Sequence, residues 1–207
     1  TRRSSDLFLL IGLVLTFLSL TGPIQLEGNY ITLFWSCEMV ILYWLGIKSN
    51  IPIIKNSSVA ILILTIISLA MDWQNNYFTV QINKYPFFIN KAFVTGSIVI
   101  AALFLKRKFV KADQDEFLLW KLLPTNFYRS ITEIILVALI YLVGFLELQY
   151  QTLHTYRMIE FSNVIHWTYQ YIFAAGLLFY SLKKRTFKIQ RITAFISAAL
   201  LFLYLGA

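Results

Sequence analysis

The sequence predicts an all-α protein, a polytopic bundle of about seven transmembrane helices with its N-terminus in the cytoplasm and its C-terminus outside. Three observations predict it. Hydrophobic residues form 58% of the 207 and charged residues only 14%, whereas an ordinary soluble domain is about half apolar and a quarter charged. The charges fall into short clusters, and the apolar runs between them approach the roughly 17 to 25 residues of a bilayer crossing. Mean hydropathy is +0.68; a soluble all-α protein would instead show polar positions every third or fourth residue along each helix.

Taken in order, the first span covers residues 7–20, after Arg2 and Arg3, and Gly22-Pro23 with Gly28-Asn29 ends it. The second covers 31–47, and Ser49-Asn50-Ile51-Pro52 makes a tight turn into the third, 58–71. An outer loop, 72–91, carries Asn75-Asn76 and Tyr85-Pro86, and the apolar–polar alternation of residues 77–82 predicts a small extended lid. The fourth span, 92–105, leads to a cytoplasmic loop, 106–130, broken at Pro124-Thr125-Asn126. Within that loop Phe117, Leu118, Trp120 and Leu122 stand among charges, which predicts a short amphipathic helix on the cytoplasmic leaflet. Spans at 131–148, 162–182 and 192–203 complete a single transmembrane domain over residues 1–207.

The basic residues set the orientation. Fifteen of the eighteen Lys and Arg fall in connections on one side, and only Lys84, Lys91 and Arg157 on the other. The positive-inside rule makes the rich side cytoplasmic. Trp35, Trp73 and Trp167 fall at outer ends of spans and Trp44 and Trp120 near the inner side, as interfacial anchors do. The net charge of +8 is therefore explained by topology, and no nucleic-acid partner is expected. Cys37, the single cysteine, lies in an apolar run and excludes a disulfide framework or a cysteine metal site. The start at Thr1 rather than methionine, just ahead of a span, points to a piece of a longer protein or a processed product, and no cleavable signal peptide is expected because no small-residue cleavage site follows.

Two hairpins echo each other. One begins Trp35-Ser36-Cys37-Glu38 and turns at residues 48–55; the other begins Trp167-Thr168-Tyr169-Gln170 and turns at residues 183–191. Both run from outside to inside and back, so the reading is a parallel repeat; chance similarity among apolar helices is the alternative.

The stretch Pro23-Ile24-Gln25-Leu26-Glu27-Gly28-Asn29-Tyr30-Ile31-Thr32-Leu33-Phe34-Trp35-Ser36-Cys37-Glu38, continuing to Tyr43-Trp44-Leu45-Gly46, resembles a motif of a large family of bacterial polytopic membrane proteins of unknown function. In that family a P-x-Q-x-x-G-x-Y-x-T-x-x-W-x-x-E segment leads into a helix ending in W-L-G. Asn90-Lys91-Ala92-Phe93-Val94-Thr95-Gly96 is similar to a second family segment. The resemblance implies fold and location, with this chain one portion of a longer protein, and supplies no activity.

Glu38 is the first candidate site residue. Seven residues into the second span, it lies about 10 Å below the outer surface, where an ionisable side chain costs at least about 2.5 kcal/mol and faces the bundle interior or a water-filled cavity. It is a proton or cation site, a general acid or base, or a protonated or hydrogen-bonded tie between helices. His166 and Gln170, four residues apart on the sixth span, enter from the same side at similar depth, so the three form a candidate intramembrane polar site; His166 beside Trp167 reads equally as an interfacial residue. Glu133, Glu147 and Glu160 fall near helix ends and are expected to be solvated. Lys183, Lys184, Arg185, Lys188 and Arg191 are candidates for anionic lipid head groups, with topology as the simpler explanation.

No cofactor or metal is expected, because H-E-x-x-H spacing, glycine-rich phosphate loops and a G-x-S-x-G elbow are absent from the sequence. The expected protein is a multi-pass component of the inner (cytoplasmic) membrane, structural or assembly-related or transport-related. The alternative is a membrane enzyme acting on lipid-linked or envelope substrates through an outward-facing polar pocket. Its partners are the lipid bilayer and other membrane or envelope proteins, and no oligomeric state is implied.

Overall fold

The computed structural model describes residues 2–78, 90–113, 117–118, 123–155 and 159–184. Its elements follow the turn chemistry of the chain. Helix α1 (Arg2–Gln25) ends before a turn in which Gly28 takes φ 55°. Helix α2 (Asn29–Ser49) ends where Asn50 adopts a left-handed conformation, φ 53° and ψ 30°, which asparagine tolerates better than most residues. Helix α3 (Pro52–Trp73) starts with proline, whose missing N–H costs nothing in the first turn. A π-helical turn, Gln74–Phe78, follows directly. Helix α4 (Lys91–Ala112) is capped by Asn90, whose side-chain oxygen accepts from the Phe93 N–H at 2.7 Å. A two-residue strand pair, β1 (Phe117–Leu118) and β2 (Leu123–Pro124), precedes α5 (Thr125–Thr155), and α6 (Ile159–Lys184) ends the described chain.

The all-α class is thus observed, and among the described residues three helical stretches are long and apolar enough to cross a membrane: Asn29–Ser49, Pro52–Phe78 and Thr125–Thr152. Four local expectations are corrected. Gly22-Pro23 does not end the first helix, which continues to Gln25. Phe117 and Leu118 pair antiparallel with Pro124 and Leu123, where a short amphipathic helix was expected. Tyr77 and Phe78 belong to the π turn and are not extended; the rest of that segment, 79–82, lies outside the described residues. Helix α4 continues seven residues into the expected loop 106–130. The seventh span, 192–203, and with it the second arm of the repeat, also lies outside the described residues.

Two compact units divide the chain, Thr1–Val143 and Gly144–Ala207. In the first, α2 and α3 form an antiparallel hairpin along seams of seven-residue period. On α2 the buried positions include Thr32, Ser36, Met39, Tyr43 and Gly46; on α3 they include Lys55, Ser58, Leu62, Thr65, Leu69 and Asp72. A 3.5-residue spacing keeps one stripe of each helix facing its neighbour. Small residues let the backbones approach: a Cβ on Gly46 would stand 2.8 Å from the Lys55 backbone nitrogen. Helix α4 contributes Ala92, Thr95, Val99, Ala102 and Lys106 in the same rhythm, all buried. Outward faces are apolar, as with Phe17 and Ile24 on α1 and Ile63 and Ile67 on α3. In the second unit the Tyr169 ring packs near Phe145 and Phe173, with centroids 6.4 and 6.3 Å apart.

Candidate functional site

Glu38 is buried, 6% exposed, and faces α1. Pro23 explains how that joint is built. Lacking an N–H, it cannot bond the carbonyl one turn back, that of Ser19. The Trp35 indole fills the gap, donating to the Ser19 carbonyl at 3.1 Å. One turn further along α2, Glu38 Oε1 accepts from the Ser19 hydroxyl at 2.5 Å, with the Leu15 carbonyl at 2.9 Å as the alternative acceptor. Glu38 Oε2 is buried without a hydrogen-bond partner among the described residues. The helix therefore survives its proline because the second helix supplies the donor. Trp35, half-buried, thus ties α2 to α1, and Trp73 is buried at 8% exposed.

At the end of the unit where α2 starts, α3 stops and α4 starts, six polar residues are linked by hydrogen bonds. Thr32 donates to Asp72 Oδ2 at 2.5 Å and lies 2.6 Å from the Ser68 hydroxyl. A threonine hydroxyl has one proton; since it goes to Asp72, Ser68 donates to Thr32, and the relay points toward the carboxylate. Asn76, in the π turn, donates to the Asp72 carbonyl at 2.7 Å and to Asn29 Oδ1 at 3.3 Å. Asn29 in turn donates to Thr95 of α4 at 3.2 Å. Asp72 is 4% exposed, and among the described residues no Lys, Arg or His lies within ion-pair distance of it. The two sequence segments singled out above, residues 23–38 and 90–96, thus converge here.

The hairpin end is built differently. Asp113, which caps α4, forms an ion pair with Lys55 of α3 at 2.9 Å and accepts from the Tyr43 hydroxyl of α2 at 2.9 Å, joining three helices through one carboxylate. Lys106 is fully enclosed and donates to the Ser58 carbonyl at 2.9 Å. Its ammonium lies 5.4 and 5.7 Å from the centroids of Tyr43 and Tyr128, within cation–π range. No described carboxylate pairs with it. Arg107 forks onto Glu133 at 2.8 and 3.1 Å, and Arg129 donates to the Val110 and Lys111 carbonyls at the end of α4.

Glu38 lies in the first unit, while His166 and Gln170 lie half-buried on α6 in the second. The His166 ring sits 5.4 Å from that of Phe145. Glu147, expected to be solvated, is 1% exposed and accepts from Gln151 at 3.0 Å, and Glu133 is engaged by Arg107. Lys183 and Lys184 close α6; Arg185, Lys188 and Arg191 lie outside the described residues. Asp72, Lys55, Lys106 and Asp113 went unnoticed as site residues. A signal existed: Ser58, Thr65 and Asp72 recur every seven residues in an apolar run, and Lys106 continues the row of Ala92 and Val99. Comparison with known proteins found no matching family model, no similar curated protein and no similar solved structure.

Proposed function

We propose that the chain is a multi-pass component of the cytoplasmic membrane with a structural or assembly role, its helices held together by the polar side chains they bury. Three helical stretches long and apolar enough to cross a membrane support the membrane setting. The asymmetry of the basic residues and the family resemblance of residues 23–38 support the orientation and the multi-pass architecture. The observation that carries the role is the joint between α1 and α2. Glu38, the residue best placed for chemistry, is bonded to Ser19 beside the carbonyl that Pro23 frees and Trp35 occupies.

A double-mutant cycle tests this. Ser19→Ala and Glu38→Leu should each lower the unfolding midpoint in detergent, with a coupling of about 0.6 to 1.7 kcal/mol, the range for buried hydrogen bonds between membrane helices. Proton or cation uptake into liposomes should be the same for native protein and Glu38→Gln. Loss of uptake in Glu38→Gln at unchanged stability would overturn the structural role. A transport-related role is the second reading, and the buried Asp72 carboxylate, with no cationic side chain in ion-pair distance among the described residues, favours it.

A further inference from the structure

The contacts around Ser19 need one proton more than the side chains supply when Glu38 is ionised. The Ser19 oxygen stands 2.5 Å from Glu38 Oε1 and 2.9 Å from the Leu15 carbonyl, and its hydroxyl has a single proton to give. An ionised Glu38 would take that proton on Oε1 and leave Oε2 buried with no partner among the described residues. One hydrogen bond falls far short of what a buried charge needs. No neighbouring charge makes up the difference, since residues 7–25 of α1, 56–71 of α3 and 92–105 of α4, the helices packed against α2, hold no titratable side chain. The charges nearest the ends of these stretches have other partners: Lys55 pairs with Asp113, Lys106 donates to the Ser58 carbonyl, and Asp72 accepts from Thr32. Arg2, Arg3 and Asp6 on α1, Lys91 on α4 and Lys48 on α2 belong to helix ends, and on α2 Cys37 is exposed while Tyr43 donates to Asp113.

We infer that Glu38 holds a proton while α1 is docked on α2, and that loss of this proton releases α1. The inference deepens the structural role proposed above and rests on it. A neutral carboxyl completes the count. Its proton goes from Oε1 to Ser19, the Ser19 proton goes on to the Leu15 carbonyl, and Oε2 is left as an uncharged carbonyl oxygen, whose missing partner costs far less than a bare charge. The rest of the joint is tight enough to respond. Gly22 lies so close to the Phe34 ring that a Cβ there would collide with it, and Trp35 holds the Ser19 carbonyl. With Glu38 only 6% exposed, an ionised carboxyl gains water when α1 moves away.

The docked joint holds a proton that the open joint releases, so opening is favoured as pH rises. Above the ordinary glutamate value of about 4.3, and while the docked form stays protonated, the opening constant should grow about tenfold per pH unit. Amide hydrogen exchange across residues 10–25 of α1 reads that constant in the detergent-solubilised full chain. After correction for the intrinsic effect of pH on exchange, native protein should show the rise between about pH 5 and about pH 7. Glu38→Gln, whose amide donates to Ser19 without titrating, should stay flat, and so should Glu38→Leu. An infrared difference spectrum, native protein minus Glu38→Gln, should carry the carbonyl stretch of a protonated carboxyl at neutral pH. Corrected exchange independent of pH in native protein, an equal rise in native protein and both variants, or a difference spectrum with carboxylate bands alone would each overturn the inference. None of these outcomes alters the coupling of Ser19 with Glu38 or the liposome uptake, which test the structural role separately.

Discussion

The two ends of the α2–α3–α4 unit solve one problem, how to close a helical bundle with polar groups, in opposite ways. Around Asp72 the closure is made by hydroxyls and amides in a chain of short-range hydrogen bonds. Around Asp113 it is made by ions, with one carboxylate holding Lys55 and Tyr43 and a second ammonium, Lys106, resting between two tyrosine rings. By formal charge each network ends one out of balance among the described residues, the first negative and the second positive, and burial pushes the Lys106 amine well below the ordinary lysine range. Hydrogen bonds between neutral groups degrade gently when one is lost, whereas an ion pair deprived of one partner leaves the other charge stranded. The hairpin end should therefore be the brittle one.

The largest effect is expected from Asp113→Asn. It leaves Lys55 buried beside a weak acceptor and should cost about 3 to 5 kcal/mol in denaturant unfolding, as broken buried pairs do. Ser68→Ala, at the other end, should cost about 1 kcal/mol, the typical worth of one hydrogen bond. Equal losses would break the comparison. The smallest effect is expected from Lys106→Met. It removes an ammonium without a described carboxylate partner and keeps much of the apolar stem, so the unfolding midpoint should stay unchanged or rise slightly. A loss comparable to that of Asp113→Asn would mean that the two tyrosine rings and the Ser58 carbonyl balance the charge by themselves.

Features set by neighbouring residues were legible in the sequence, and those set by distant ones were not. Asn50 and Pro52 mark their turn because backbone preference is local. Pro23 misleads for the same reason: the donor that rescues its helix, Trp35, comes from the next helix. Glu38 stands out as an ionisable residue in an apolar run, yet its partner lies 19 residues away and could not be read. Lys55 and Lys106 look like ordinary cytoplasmic charges, and their bonds to Asp113 and Ser58 span 58 and 48 residues. Charge counting assigns a lysine to a side of the membrane and leaves its solvation open. The seven-residue rhythm that carries Lys106 and Asp72 inward was present all along, hidden under apolar composition that satisfies any helical period.

Where Asp72 and Lys106 both carry charge, the two ends form a dipole along the helices. On α2, Thr32 and Tyr43 mark those ends, about 16 Å apart at the helical rise of ~1.5 Å per residue. In the orientation that the basic residues predict, the negative end faces outward and the positive end inward, so a potential that is negative inside favours both positions. Over about half of a ~30 Å hydrocarbon core, that amounts to about 1 kcal/mol for each 100 mV. An energised membrane would then hold this unit more firmly than a depolarised one. Protease digestion in proteoliposomes, with and without an imposed potential, would reveal the difference.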